Sequence, residues 1–374
     1  MHLCRGEKKE KMTLLHKIIT NDNNRFYRFS NTDGKAWVVP AKNMRVAFGL
    51  YQPSGIKGKI VKALLPLLHH ISAVRKAVKA ETLHCSLKKE LNDLLCRLFG
   101  VQEIEFAIFE GTPCVHQKIT MQLSRGNKIL GYCKASDNSD ILALFEKEYH
   151  TLQHLAEKGV TGIPTALYCG TLSNGVHVFV QNTIKSAQSK VPHNWGALHE
   201  KFLASLHVKT KQVLLFEESD YYHIIHALRE HIDWLPANTD KQAVARAIDE
   251  ITAKNIGKKV EYSACHSDFT PWNMFVEKGR LFVFDFEYAS LTCPPGLDAV
   301  HFAMQTAIFE KHTTKEGLAT QIIEQFGKEK TTMYLLNVMS RFTMREKGPV
   351  PESAAQLFEI WNYLLMRAMQ YSPL

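Results

Sequence analysis

The segment at residues 266–287, HSDFTPWNMFVEKGRLFVFDFE, constrains this chain more than any other. His266, Asp268 and Asn273 stand in the order H-x-D-x-x-x-x-N; an apolar strand pair then turns at Lys278 and Gly279 and runs to Asp285 and Glu287, D-x-E. Taken singly, these pieces are ordinary: short polar loops supply turns and caps, and an acid at a strand end is usually solvated. Their coupling is specific. A tight loop can aim a carboxylate at an acceptor hydroxyl while an amide five residues later faces a metal. A second carboxylate at the end of the adjacent strand then completes a Mg²⁺ site, because Mg²⁺ takes few protein ligands and shares phosphate oxygens.

The surrounding texture sets the fold class. After Gly100, residues 104–109, 115–123 and 128–135 read as three short strands, with turns at 111–113 and 125–126. A helix follows over 141–157, carrying Leu144, Phe145, Glu148, Leu152 and Leu155 at helical spacing, and then strands near 164–170 and 177–181. The order β-β-β-α-β-β is complete within about eighty residues. Beyond Lys185 the pattern is helical at 195–207, 221–232 and 241–256, is interrupted by strands at 274–276 and 281–286, and ends in about four helices. No internal repeat or low-complexity linker divides it.

The block at 266–287 resembles the catalytic and metal-binding loops of the aminoglycoside phosphotransferase-like families, the branch of the protein-kinase-like fold that phosphorylates small molecules. Its form, HSDFTPWN followed by DFE, is close to the HGDFTPWN-type loop of members associated with sugars and surface polysaccharides. The resemblance covers about residues 101–305 and implies an α+β, two-lobe fold using ATP (or GTP) and Mg. A small antiparallel β-sheet lobe is expected over 101–183 and a mainly helical large lobe over 184–374. Such a small lobe needs a lysine on its third strand and a glutamate on the next helix. Lys134 in GYCKAS and Glu148 in EKEYHTLQHL occupy those places. Glu148 is preferred to Glu146 because it starts an E-x-x-x-L-x-x-L run whose leucines face the sheet.

The resemblance further implies that Asp268 orients and deprotonates the acceptor, that Asn273 and Asp285 hold Mg²⁺, and that Glu287 supports them or serves a second metal. His266 braces the loop. Residues 178–185, VFVQNTIK, fall where the lobes should join, so adenine would meet backbone groups near Gln181 and Thr183. The phosphate loop departs from the kinase pattern: EGTPCVHQ offers Gly111 alone, leaving the N–H groups of Gly111 and Thr112 to approach phosphate while Pro113 limits the donors. Twelve residues separate Asp285 from Asp298, and there is no A-P-E, which excludes the peptide-holding activation segment of protein kinases. Asp298 is expected to cap the loop and anchor a helix.

Charge marks out the remaining part of the chain. The 374 residues carry a net +9; residues 1–100 hold 19 Lys/Arg against 7 Asp/Glu, and the remainder 27 against 30. Between residues 23 and 80 there are eleven cations and one acid, Asp33. This is either a solvated basic face or a contact for an anionic membrane or glycan; a nucleic-acid partner is disfavoured, since the body of the chain is slightly acidic. Residues 1–100 therefore read as a basic N-terminal module of unknown role, with strand-like segments at 26–29 and 36–39 around a turn at 31–34, and helices at 60–80 and 86–99. The second carries Leu87, Leu91, Leu94, Leu95 and Leu98 as one stripe and stops at Gly100. The stretch 60–80 is too interrupted by Pro66, His69, His70 and cations to span a bilayer. The first twenty residues carry charge where a signal peptide needs an apolar centre, and either Met1 or Met12 suits as the start. Eight cysteines without C-x-x-C spacing point to a reducing compartment and no zinc site. The expected location is cytoplasmic, with peripheral contact to the inner face of the membrane.

Three acceptor classes remain open. A sugar or glycan precursor fits the loop resemblance. An aminoglycoside would favour an acidic pocket, for which Glu217, Glu218 and Asp220 form the compact cluster, and a choline-like alcohol would want an aromatic cage drawn from Trp195, Tyr221, Tyr222, Trp234 and Trp272. A catalytically idle, kinase-like nucleotide-binding scaffold whose basic end binds membrane or nucleic acid is the alternative of a different class.

Overall fold

A computed structural model describes residues 13–370 apart from 33, 54, 112–116, 347–349 and 351. Thr112 and Pro113 of the expected phosphate loop, and Asp33 in the turn after the first strand, lie outside the described residues. Two compact units emerge: residues 1–150 with 164–188, and residues 151–163 with 189–374.

The first unit is built on one antiparallel sheet. In chain order its elements are α1 (Leu14–Ile18), β1 (Ile19–Ser30), β2 (Ala36–Pro40), α2 (Met44–Ala47), α3 (Ile56–Leu68), α4 (Ser72–Ala77), β3 (Glu81–Leu87), α5 (Lys89–Phe99), β4 (Glu105–Phe109), β5 (Ile119–Arg125), β6 (Lys128–Ser136), α6 (Ser139–Glu157), β7 (Ala166–Thr171) and β8 (His177–Asn182). Eight strands lie in the order β3-β1-β2-β4-β5-β6-β8-β7. This corrects the reading of residues 1–100 as a separate module, because three of those strands extend the small-lobe sheet. The join is β2 against β4, with Trp37 opposite Phe109 and Val38 opposite Ile108.

The reason lies in the composition of β2. AWVVP is buried at every position from Ala36 to Val39, so the strand needs neighbours at both edges and cover on both faces. Period-two alternation supplies the faces. Phe26, Val38, Leu87, Phe106 and Ile108 share one cluster with Leu91, Leu94 and Leu95 of α5. Tyr27, Phe29, Trp37, Val39 and Ala107 share the other with Met44, Phe48 and Leu65. Trp37 stacks between Phe29 at 5.7 Å and Phe109 at 5.2 Å, so aromatic contact runs across three strands. The expected helix at 86–99 begins only at Lys89, since Leu87 is the last residue of β3, although it faces the same core as the helix leucines.

The second unit is mainly helical: α7 (Ala197–Thr210), α8 (Asp220–Glu230), α9 (Lys241–Asn255), α10 (Leu297–Phe309), α11 (Lys315–Phe326), α12 (Lys328–Glu346) and α13 (Glu352–Gln370). The last four are the expected terminal helices. Ile225, Val244, Val300, Met304, Ile322, Leu335, Phe358 and Trp361, from six of these helices, share one buried cluster. Two small sheets complete the unit. β9 (Gln212–Leu215), β10 (Lys259–Cys265) and β13 (Ser290–Cys293) pair in the order β13-β10-β9, and β11 (Met274–Glu277) pairs with β12 (Arg280–Val283). No helix among the described residues is long and apolar enough to cross a membrane.

If residues 1–100 share the sheet, Trp37→Ala should cost about 3–5 kcal/mol and lower the urea midpoint of the whole small lobe. An independent module would instead give a separate unfolding transition and leave the rest of the lobe unmoved.

Candidate active site

In the second unit, β10 delivers the chain into the loop at His266. Ser267 has φ +65°, a left-handed conformation that costs a non-glycine residue about 1–3 kcal/mol. Asp298, buried in the first turn of α10, offsets that cost by accepting the N–H of His266 at 2.7 Å and of Ser267 at 2.8 Å. The expected capping role of Asp298 is visible in these two bonds.

His266 has both ring nitrogens engaged. Nδ1 accepts the Asp268 N–H at 3.2 Å, and Nε2 donates to the Phe284 carbonyl at 2.9 Å, which sets the neutral Nε2–H tautomer. The ring therefore ties the loop to the residue before Asp285. Phe284 is held from the other side too, its N–H donating to the Asn273 carbonyl at 3.0 Å. The strand expected to run to residue 286 ends at Val283, because Asp285 turns to φ +72°. Gly162 steadies β12 from behind: its φ is +78°, a Cβ there would lie 2.6 Å from the Leu281 carbonyl oxygen, and its own carbonyl accepts the Val283 N–H at 2.8 Å.

Asp268 is gripped at both oxygens. Asn273 Nδ2 donates to Oδ2 at 2.7 Å and to the Asp268 carbonyl at 3.0 Å, which leaves the amide oxygen of Asn273 turned to other partners. Oδ1 pairs with His301 Nε2 at 3.0 Å, and His301 Nδ1 in turn meets the Tyr334 hydroxyl at 3.1 Å. Burial acts to raise the Asp268 pKa. The hydrogen bond from His301, with the electrostatic pull of His301, His266 and Arg341 on the carboxylate, outweighs it and holds the carboxyl below its ordinary range. Burial pushes His301 the other way, below an ordinary histidine, against the pull of Asp268. At neutral pH the pair is thus a carboxylate accepting from a neutral imidazole. His301 and Tyr334 were absent from the sequence-based site. The available signal was D-x-x-H at 298 and 301, one helical turn apart on α10 and so facing the same loop.

Asp285 and Glu287 bring carboxylate oxygens within 4.8 Å of each other, and Glu287 is buried. Two carboxylates so placed are hard oxygen donors, the type that suits a divalent cation such as Mg²⁺.

In the first unit, Lys134 on β6 and Glu148 on α6 form a buried ion pair at 2.6 Å, with side chains 8% and 0% exposed. Glu146 on the same helix is exposed, so packing selects Glu148. The Lys134 ammonium lies 5.7 Å from the Phe179 ring centroid, which gives the cation a second favourable contact. Gly111 has φ +69°, and a Cβ would come within 3.0 Å of the Lys118 carbonyl oxygen, so this position after β4 favours glycine. Gln181 is buried on β8 opposite Tyr132, and the Thr183 N–H donates to the Leu130 carbonyl at 3.2 Å.

The acidic cluster considered for a cationic acceptor is structural. Glu217 accepts the Gly257 N–H at 3.1 Å and Glu218 that of Leu215 at 3.0 Å. Asp220 accepts the Leu291 and Thr292 N–H groups at 2.8 and 3.1 Å and the Ser290 hydroxyl at 2.8 Å. The aromatic set is dispersed: Tyr221 is fully buried with its hydroxyl donating to the Met333 carbonyl, Tyr222 packs on Phe216 and His226, and Trp234 packs on His231. Trp195 and Trp272 remain 37% and 38% exposed, backed by Phe302 and Phe309 of α10.

This geometry accords with the comparisons to known proteins. The model of the phosphotransferase enzyme family matches residues 141–310. The apo crystal structure of a thermostable mutant of aminoglycoside phosphotransferase APH(4)-Ia is similar at 13% identity and a TM-score of 0.52, covering 75% of this chain and all of that one. Another mutant of the same enzyme, in a ternary complex with AMP-PNP and hygromycin B, is similar at 12% identity and a TM-score of 0.50, covering 76% and 100%. The fold is a two-lobe α+β, kinase-like one, similar to that of the aminoglycoside phosphotransferase structures. No curated protein matches the chain. Kinase-type transfer in general terms follows from the phosphotransferase match, whereas identities this low carry no acceptor.

Because the folded pKa of Asp268 is depressed, its contribution to stability is complete above the unfolded carboxyl value and is lost as pH falls through the folded one. In His301→Ala this loss should begin at a higher pH, since the hydrogen bond that lowers the Asp268 pKa is gone, read as melting temperature against pH. His301→Gln, which keeps an N–H donor, should stay closer to the native profile.

Proposed function

We propose that the chain transfers the γ-phosphoryl group of ATP to a hydroxyl of a sugar or glycan precursor. The observation that carries this reading is the two-sided grip on Asp268. With Oδ2 bonded to Asn273 and Oδ1 to His301, the carboxylate cannot rotate, yet each oxygen keeps a lone pair for an acceptor O–H. Phosphoryl transfer depends mainly on positioning and electrostatic stabilisation, and a fixed hydrogen-bond acceptor supplies the first. The low pKa is consistent with this. In a loose transition state the acceptor oxygen attacks phosphorus as the bond to the β-phosphate oxygen breaks, and its proton passes late to Asp268.

Lys134, held by Glu148, would neutralise the α- and β-phosphates, and backbone groups near Gln181 and Thr183 would receive the base. Asn273, Asp285 and Glu287 would hold Mg²⁺, which when bound neutralises charge building between the β- and γ-phosphate oxygens. For the acceptor, the engagement of Glu217, Glu218 and Asp220 with backbone removes the cluster an aminoglycoside would need. Trp195 and Trp272 offer two half-exposed indole faces rather than a closed cage, which suits the apolar C–H face of a sugar ring better than a quaternary ammonium. The complete set of Lys134, Glu148, Asp268, Asn273 and Asp285 argues against an idle scaffold.

ADP release with Mg²⁺ over a panel of sugars, glycan fragments, choline and aminoglycosides tests this. Turnover is expected with a sugar-containing acceptor. Asp268→Ala should lower kcat by about 10²–10⁴-fold, and Trp272→Ala should raise the acceptor KM with a smaller effect on kcat. Nucleotide binding without turnover on any acceptor, or turnover indifferent to Asp268→Ala, would overturn the reading.

A further inference from the structure

Helix α3 has two apolar faces, and one of them is left open to solvent. At 100° per residue, Val61 and Leu65 point to the sheet, where Leu65 is 2% exposed beside Phe48 and Trp37. On the opposite side Ile56, Ile60, Leu64 and Leu67 recur at i, i+4, i+8 and i+11, and are 77%, 52%, 46% and 62% exposed. Ile71, in the turn before α4, adds to the same patch at 41%. Five of the twelve exposed large hydrophobic residues among those described thus fall within sixteen consecutive positions, a concentration that marks an interaction surface rather than scattered surface side chains.

The rim of this stripe is cationic. Lys57 and Lys59 project on its two flanks and are exposed, and α4 with the residue pair after it adds exposed Lys76 and Lys79. Arg75 serves the fold instead. Its guanidinium donates to the carbonyls of His69 at 2.7 Å and His70 at 2.8 Å and lies over the Tyr27 ring, fixing the α3–α4 turn that presents Ile71. From residue 34 to residue 80 the sequence contains nine Lys/Arg and no Asp or Glu.

We propose that this face binds an anionic phospholipid bilayer, with α3 lying in the plane of the interface, its isoleucines and leucines among the acyl chains and its lysines among the headgroup phosphates. Charge decides the occupant. A second copy of the chain would set lysine against lysine with no acid in the patch to relieve the repulsion. A soluble polyanion would use the cations and leave the isoleucines and leucines in water. Only a surface that is anionic at its rim and apolar beneath satisfies both sets of side chains. At thirteen residues α3 is too short to span the bilayer, which agrees with an in-plane seat. The inference stands independently of phosphoryl transfer, because none of these residues belongs to the catalytic set.

The test is co-sedimentation of the full chain with vesicles of phosphatidylcholine alone and of phosphatidylcholine with phosphatidylglycerol, over a salt series. Binding is expected to the anionic vesicles, to weaken steeply with salt, and to fall by about tenfold or more in both Ile60→Glu/Leu67→Glu and Lys57→Glu/Lys59→Glu. All four positions are exposed, so an unchanged melting temperature confirms that each variant is folded. No binding, or equal binding to neutral vesicles, overturns the proposal. Binding that survives Ile60→Glu/Leu67→Glu also overturns it, and points to a soluble polyanion. A native dimer that this variant converts to monomer overturns it in favour of self-association.

Discussion

Two backbone N–H groups directed at one buried carboxylate hold the large-lobe site together. Asp298 makes the left-handed turn at Ser267 tenable, and that turn sets the direction in which Asp268 leaves the chain. Every later contact inherits this geometry. His266 can reach Phe284 only from this turn, Asn273 can fold back on Asp268 only across the short Pro271–Asn273 turn, and His301 meets Asp268 because it sits one helical turn beyond Asp298. One helix start thus serves as both clamp and partner. Strain, capping and electrostatics act at the same few residues, as expected where a backbone conformation is over-determined by its surroundings.

Much of this was legible in the residues. The block at 266–287 carried its own spacing, and chain order alone singled out Lys134 and Glu148, since a third strand followed by a helix leaves few choices. The unread parts share a physical cause. His301 lies 33 residues from Asp268, and nothing local to either records that they meet. The strands β9 and β13 are four residues each with half-exposed positions, too short for alternation to show. Asp220 counted as part of an acidic cluster open to a ligand because its partners at 290–292 arrive from a strand distant in sequence.

The N-terminal hundred residues misled for another reason. Net charge describes surface, and here it gave no sign that the strand-like segments of β1 and β2 join the following sheet, which they do through inward-facing aromatic residues. Phe109 lies 72 residues beyond Trp37 in the sequence, yet it stacks in one row with Phe29 and Trp37. A basic surface and a fully buried strand occupy the same segment without conflict, because the cations lie on β1, α2, α3, α4 and the loops while β2 holds only apolar side chains and Pro40.

The placement of β2 also governs what an attachment at α3 would do mechanically. From β2 through β4 and β5 to β6, each strand is hydrogen-bonded to the next, so the helix resting on β2 and the strand that carries Lys134 belong to one stiff plate. A protein held by a flexible leash gains only local concentration, and its active groups still tumble. Here no leash intervenes. Whatever seats itself on α3 fixes the heading of the strand that carries Lys134 and of its ion pair with Glu148, so that docking selects an angle of approach as well as a place.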